Sequence, residues 1–527
     1  MANKPFNNPV VQQVVSQENG ETKETTLEDI ETRDGEYRRS FTARHIHIIS
    51  LGGQIGAGLF ISSGKNLRDG GPATLFLAFA TVCTCVFAVL NTVSEMTIAF
   101  PTSGNYIDYA DRFVDPALAF AGGFSMWLGW TAIVAAEATF FSVIINYWAE
   151  NRVNEAVWYT VFLVIMLVIF ALPNTVFAWF EYATSIMKVL ALFVFILAGF
   201  AMVLGAGPNG YQFCSSVLLA VLAIGDNTFT GFLAGEAKTP RFSIAHAVIL
   251  IPIRVTVLYL LSMLFIGLLV PATDQRLLGG SGSAASPFVI ALAEAGMPGL
   301  PELLNVVIMF AVAAIGAESV FVASRILRAM SHQRLIPAWV AHVDRKGRPR
   351  WALLITYTSA VALTYCNLSA GGITVFNWLA QIATTGYFMV WVVIGITSFR
   401  FRAALKAQDD PLFEQRYAWR CKWWPVPPAW LLLCCSLYTG CSFYMALYPI
   451  GSDTPSAYSF FQYMIGTVLI LGLGTIYKVV FRTKLRDPEG VDLRTGRRLL
   501  SEEEIKMLDD YYGSSKWRRL AAFLQLW

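Results

Sequence analysis

The sequence predicts an all-α polytopic membrane protein with twelve transmembrane helices, and three observations carry that prediction. The 527 residues are 55% hydrophobic and only 14% charged, where soluble domains carry roughly 25% charge, and the mean hydropathy is +0.53. Apolar stretches long enough to cross a hydrocarbon core of roughly 30 Å follow one another, at 46–62, 72–99, 117–148, 155–172, 182–205, 215–235, 245–270, 303–327, 351–368, 373–399, 426–448 and 457–481. Basic residues fall on alternate connections. With both ends cytoplasmic, the inner connections hold Arg112, Lys238, Arg241, Arg328, Arg334, Arg345, Lys346, Arg348, Arg350, Arg400, Arg402, Lys406, Arg416, Arg420 and Lys422, and the outer ones only Lys65, Arg68, Arg152 and Arg276. That asymmetry follows the positive-inside rule, and an odd number of spans would scramble it.

Residues 1–43 are polar, lack helical periodicity and read as a disordered cytoplasmic tail. They lack the short apolar core of a cleavable signal, so segment 1 is expected to start insertion. Lys4 and Lys23 are the tail's candidates for modification, which makes cytoplasmic ubiquitin and trafficking machinery a possible partner. Residues 44–481 form the membrane domain, and 482–527 a cytoplasmic tail. That tail is basic and turn-rich to residue 500, opens an acidic helix at Ser501 to Glu504, and ends in Ser515 to Trp527. The last piece mixes Lys516, Arg518 and Arg519 with Trp517, Leu520, Phe523, Leu524 and Trp527, and reads as an interfacial amphipathic helix on an anionic leaflet, with a frayed soluble end as the alternative. Cys83, Cys85, Cys366, Cys434, Cys435 and Cys441 sit in apolar segments without metal-ligand or disulfide spacing and read as small packing residues. A net charge of +3 marks no particular partner, and neither nucleic acid nor a cofactor is expected.

Segment 1 contains SLGGQIGAGLF, Ser50 to Phe60, with glycines at 52, 53, 56 and 58. Each glycine costs a helix about 1 kcal/mol relative to alanine, so the cluster marks a place where the backbone leaves helical geometry or is closely approached. Inside a bilayer, freed N–H and C=O groups persist only when buried in protein or lining a polar cavity, so such a break implies a site. A Gly-xxx-Gly packing face through Gly52 and Gly56 is the competing reading. Segment 6 is interrupted in the same way by Gly225, Asp226, Asn227, Thr228 and Gly231. Segments 1 and 6 open two successive sets of five, and glycine-broken spans in corresponding positions point to a carrier built from inverted repeats. Two broken helices meeting at the midplane offer helix N-termini to a carboxylate and bare carbonyls to an ammonium, the two groups of an amino acid.

Ionisable residues inside the spans cost at least about 2.5 kcal/mol each and are functional candidates by default. Glu95 and Arg254 are placed near inner helix ends, where they can reach the interface, and read as structural. Lys188 lies about a turn and a half inside segment 5 without a polar face around it. It either snorkels to the interface or serves as a proton-coupling group whose ionisation follows opening and closing of the cavity. Glu137 and Glu318 lie deeper. Each could hold a proton or face a substrate cation, and burial in an ion pair with Lys188 or Arg254 is the structural alternative.

Several motifs together resemble the fungal amino acid permeases of the amino acid/polyamine/organocation superfamily. They are RHIHIISLGGQIGAGLFISSGKNLRDGGPA (Arg44 to Ala73), FPTSGNYIDYADRFVDPALAFAGGF (Phe100 to Phe124), GEAKTPRFSI (Gly235 to Ile244), ASPFVIAL (Ala285 to Leu292), ASRILRAM (Ala323 to Met330) and TVFNWLAQIATTGYFMVW (Thr374 to Trp391). The resemblance runs from Arg44 to about Leu405. It implies a 5+5 inverted-repeat core with broken helices 1 and 6 plus two extra helices, and proton-coupled amino acid import by alternating access at the plasma membrane. It also implies a substrate site at Gln54, Gly56, Ala57, Gly58, Ala223, Ile224, Gly225, Asp226 and Asn227, with Lys188 at the position where related carriers place a lysine in lieu of a sodium ion. Three departures stand out. Thr228 occupies the usual acidic position of the segment 6 break, Glu318 replaces a small polar residue in segment 8, and the chain ends Leu526-Trp527 without the family's frequent terminal cysteine. The first two keep a cationic amino acid, an amine or a polyamine open as substrate, and a transport-inactive sensor is a further alternative. No nucleophile-base pair, metal cluster or phosphate loop points to an enzyme.

Overall fold

A computed structural model describes residues 52–53, 55–56, 58–102, 104–149, 152–172, 174–202, 240–277, 286–294, 299–344, 348–368, 372–449, 456–498, 500, 502–515 and 517. Every regular element among them is helical. In chain order they are α1 (Ser63–Ala99), α2 (Tyr106–Phe113), α3 (Pro116–Ala149), α4 (Glu155–Ala171), α5 (Asn174–Met202), α6 (Pro240–Leu269), α7 (Pro287–Glu294), α8 (Leu300–His332), α9 (Arg350–Cys366), α10 (Gly372–Ala407), α11 (Val426–Leu447), α12 (Ala457–Phe481) and α13 (Glu502–Gly513). Among the described residues, 8 helices are long and apolar enough to cross a membrane, and Glu155–Ala171 is a shorter apolar helix. The N-terminal tail, residues 46–51, 54 and 57 of segment 1, all of segment 6 and nearly all of the terminal amphipathic stretch lie outside the described residues.

The ends of the helices follow from local chemistry. Within α1 the backbone breaks at Gly71, where φ is 72°. A side chain would be strained at that angle, and Pro72 then opens the next rod as a proline can at a first helical turn. The C-terminal part of segment 1 therefore runs to Gly70, and segment 2 starts at residue 72. Asn154 caps α4 by accepting the Ala156 N–H at 2.9 Å, and Ser456 caps α12 by accepting the Ser459 N–H at 3.0 Å.

α3 is the central post. Its sequence is rich in Ala and Gly, which lets neighbours approach closely in a medium where helix association depends on packing rather than on expulsion of water. A side chain at Gly129 would sit 3.4 Å from the Ala383 backbone of α10, and one at Gly123 would sit 2.9 Å from Met330 of α8. Among the described residues the most extensive pairings are α3 with α8 and α1 with α6. α5 packs on α8 as α10 packs on α3, and α5 meets α6 as α10 meets α1. Exchanging segments 2, 3 and 5 for 7, 8 and 10 leaves this pattern unchanged, which is what a twofold relation between two five-helix sets produces. Short helices α2 and α7 occupy the corresponding connections of the two sets. α11 and α12 stand outside this exchange: both pack on α10 and on each other, α11 also on α1 and α12 also on α3.

The tail after α12 returns across the basic face. The Arg486 N–H donates to the Val114 carbonyl at 2.8 Å, the Arg498 N–H to Ala99 at 2.9 Å, and Gln408 Nε2 to Val491 at 2.7 Å. Leu493 and Leu508 are buried beneath it. Asp115 anchors the turn, accepting from Thr483 at 2.7 Å and pairing with Lys478.

Candidate functional site

The glycine run behaves as a break. Gly52 is still helical, Gly53 is in a turn, Ile55 and Gly56 lie outside any helix, and Gly58–Ser62 resumes as a π-helical turn. The Ile55 N–H reaches only as far back as Gly52 O, at 3.0 Å, and both Leu59 and Phe60 donate to Gly56 O at 3.1 Å. The freed groups find partners elsewhere. Ser286 Oγ, ahead of α7, donates to Phe60 O at 2.5 Å, and Phe288 of α7 covers that point with its ring 5.1 Å from Phe60 and 4.4 Å from Phe195 of α5. The α7 side of the break is therefore closed by aromatic rings.

On its other flank the break meets Lys188. The lysine is fully buried, and Nζ donates to Gly52 O at 3.1 Å and to Glu181 Oε1 at 3.4 Å. Glu181 is equally buried, and Ser185 Oγ lies 3.4 Å from the same carboxylate oxygen. Two expectations are corrected here. α5 begins at Asn174, so Lys188 is fourteen residues into the helix, about 21 Å along its axis, rather than a turn and a half from its end. Snorkelling is excluded by that depth and burial. The ammonium's ion-pair partner is Glu181, which the sequence reading left outside segment 5, and not Glu137 or Glu318. Arg254 is likewise deeper than expected, fourteen residues past Pro240 and 2% exposed.

The other two acidic candidates surround the same break. Glu318 of α8 is fully buried against Gly53, where an added methyl would lie 2.5 Å from its Oε1. Gly56 faces the same helix, with Ile315 Cγ1 2.6 Å from where its Cβ would be, while a Cβ at Gly52 would collide with Ser185 of α5. The glycines thus serve close approach to two different helices, not one Gly-xxx-Gly seam. Glu137 of α3 is 4% exposed, its Oε2 has no hydrogen-bond partner among the described residues, and Lys188 is the charge that acts on it. Gly56, Gly58, Lys188, Glu137 and Glu318 are therefore brought to one region. Gln54, Ala57, Ala223, Ile224, Gly225, Asp226 and Asn227 lie outside the described residues.

Glu95 has a structural role, as its position led one to expect. Arg402 grips it bidentately, Nη2 to Oε1 at 2.5 Å and Nε to Oε2 at 3.1 Å, and the Cys421 N–H adds a bond of 2.7 Å. Arg402 in turn lies over the Phe413 and Trp424 rings, at 4.1 and 5.0 Å. The clamp ties α1 to α10 at the basic face, well away from the break.

Among the described residues, the region gathers a non-helical backbone turn, the Lys188 ammonium and the Glu137, Glu181 and Glu318 carboxylates in the protein interior. Such a setting can hold a zwitterion and can exchange a proton on a buried side chain.

Residues 45–488 match the family model described as amino acid permease. The chain is 33% identical over 500 residues to the amino-acid permease GAP3 of Candida albicans, covering 90% of this chain and 82% of that protein. It is 32% identical over 491 residues to the general amino-acid permease GAP1 of Saccharomyces cerevisiae, covering 88% and 81%. To the cationic amino acid transporter 1 of Schizosaccharomyces pombe it is 29% identical over 495 residues, covering 89% and 83%.

Proposed function

The chain belongs to the amino acid permease family, and on that premise we propose that it is a proton-coupled symporter that imports amino acids by alternating access at the plasma membrane, with both termini cytoplasmic. The observation that carries the coupling is the buried Lys188 bridging Gly52 O and Glu181. A protonated Lys188 holds the broken segment 1 against α5 through a carbonyl that the break has freed. Loss of that proton strips the charge from the bond to Gly52 O, weakening it, and leaves Glu181 with an unbalanced charge, so protonation and the position of segment 1 are linked. The substrate carboxylate is taken by the backbone about Gly56 to Gly58. The residues at 223–227 are proposed to complete the site from segment 6.

A second reading of substrate is favoured by charge. Among the described residues, the buried Glu137 and Glu181 carboxylates both lie by the Lys188 ammonium, so a cationic amino acid or an amine would be better compensated there than an acidic one. The likeness to a relative named as a cationic amino acid transporter supports that preference.

Uptake of labelled amino acids into cells lacking their own permeases, or into proteoliposomes with an imposed pH gradient, tests both readings. Accumulation should collapse with a protonophore and fall as the outside is made alkaline. Excess unlabelled lysine or arginine should compete better than leucine or glutamate if the carboxylates set the choice. Uptake indifferent to the proton gradient would overturn symport, and no uptake of any amino acid or amine would favour a sensor.

A further inference from the structure

At the basic face, a groove of about 250 Å³ opens between the end of α4, the flank of α8 and the start of α9. Leu167, Phe170, Val320, Leu353, Leu354 and Tyr357 form its apolar walls, and Leu167 and Leu354, on apolar helices, are each 52% exposed. Arg348 and Arg350 stand at its mouth. Asp344 is shared between them, accepting from Arg348 Nη2 at 3.0 Å and from Arg350 Nε at 2.9 Å. Two guanidiniums against one carboxylate leave the mouth with net positive charge.

The two arginines are differently engaged. Arg348 is largely buried and its Nη1 donates to Ala171 O at 2.9 Å, satisfying a carbonyl at the C-terminus of α4. Arg350 is 68% exposed, and among the described residues its only hydrogen bond uses Nε. Its two terminal nitrogens remain for a ligand and form the planar fork that fits a phosphate. Trp339 and Trp351 are both about half exposed and meet edge to face at 5.4 Å beside this mouth. Exposed tryptophan pairs of this kind mark the headgroup level of a bilayer.

We propose that this groove is a binding site for an anionic phospholipid, its headgroup phosphate on Arg350 and one acyl chain along Leu167, Phe170, Leu353 and Leu354. An apolar trough that opens sideways into lipid calls for a chain, and a mouth with surplus positive charge selects a headgroup with surplus negative charge. The site is separate from the segment 1 break, so it stands whether or not the transport reading does.

The test uses the full-length protein in nanodiscs of equal phosphatidylserine and phosphatidylcholine, with the lipid that co-purifies into detergent counted by mass spectrometry. Wild type should retain phosphatidylserine about fivefold over phosphatidylcholine, the worth of one basic side chain at an anionic surface. Arg350→Gln should bring the ratio close to one, and Arg350→Lys should keep most of it. Leu354→Trp fills the groove without touching the charge and should lower the phosphatidylserine retained. Equal retention of both lipids by wild type, or an unchanged ratio in Arg350→Gln, would overturn the proposal. Should Arg350→Gln fail to give monodisperse protein, Leu354→Trp decides alone, and wild-type phosphatidylserine retention by that variant would overturn it.

Discussion

Replacing Lys188 by methionine keeps the length of the side chain and removes its charge, and two consequences can be worked out from the geometry. Glu181 Oε1 loses its ammonium at 3.4 Å and keeps only the Ser185 hydroxyl, also at 3.4 Å, while Oε2 has no hydrogen-bond partner among the described residues. An uncompensated buried carboxylate costs about 3–5 kcal/mol, so Lys188→Met should be destabilised by that amount. Replacing both partners with apolar groups removes the charge that was left behind. Lys188→Met/Glu181→Leu should therefore return to within about 1–2 kcal/mol of wild type, because a buried pair often contributes little over hydrophobic isosteres. Equilibrium unfolding of the four proteins in mixed micelles gives the coupling free energy of the pair. Uptake in the same four then separates fold from function. The double variant should be folded and delivered yet unable to accumulate substrate in response to a pH gradient, since the group proposed to carry the proton is gone. A coupling free energy below about 1 kcal/mol, or pH-driven accumulation by the double variant, would refute the reasoning.

Gly53→Ala places a methyl 2.5 Å from Glu318 Oε1 and should cost about 1–3 kcal/mol by overpacking, with a matching loss of uptake. Adding Glu318→Ala should recover part of that stability, and strictly additive effects of the two changes would show that the two residues do not meet. Asp115→Asn tests the docking of the tail through its pH dependence. Burial pushes the Asp115 carboxyl up, but the bonds from Lys478, the Ala117 N–H and Thr483 outweigh it, so it titrates below the ordinary value of 3.8. A depressed carboxylate stabilises the fold at pH above that ordinary value, and the contribution is lost as pH falls through the lower folded value. Asp115→Asn should remove this acid-side loss, cost about 1 kcal/mol at neutral pH given the half-exposed Lys478 partner, and speed proteolysis between residues 482 and 500.

The break at Gly52–Gly58 was legible because glycine's cost is a property of the residue itself, and four of them in one span cannot be explained by helix formation. The start of α5 was not. Glu181 reads by its own hydropathy as the end of a loop, so the expected segment opened one residue after it, and Lys188 was then placed near an interface. In the folded chain Glu181 lies seven residues before Lys188 on the same helix, with Ser185 between them, and the ion pair removes the cost that hydropathy assigns to each residue alone. Opposite charges two turns apart on one apolar helix face are therefore a signal that a window average erases, and reading them as a pair would have extended the span to Asn174. The docking of the tail left no local signal for a different reason. Its turn-rich stretch has no periodicity because its backbone bonds go to Ala99 and Val114, partners nearly four hundred residues away in the chain, and such pairing leaves no local pattern. Arg350 stands between these cases. Its charge in the connection before α9 was read as topology alone, and only the groove beside it, which no single stretch of sequence contains, gives that charge a ligand.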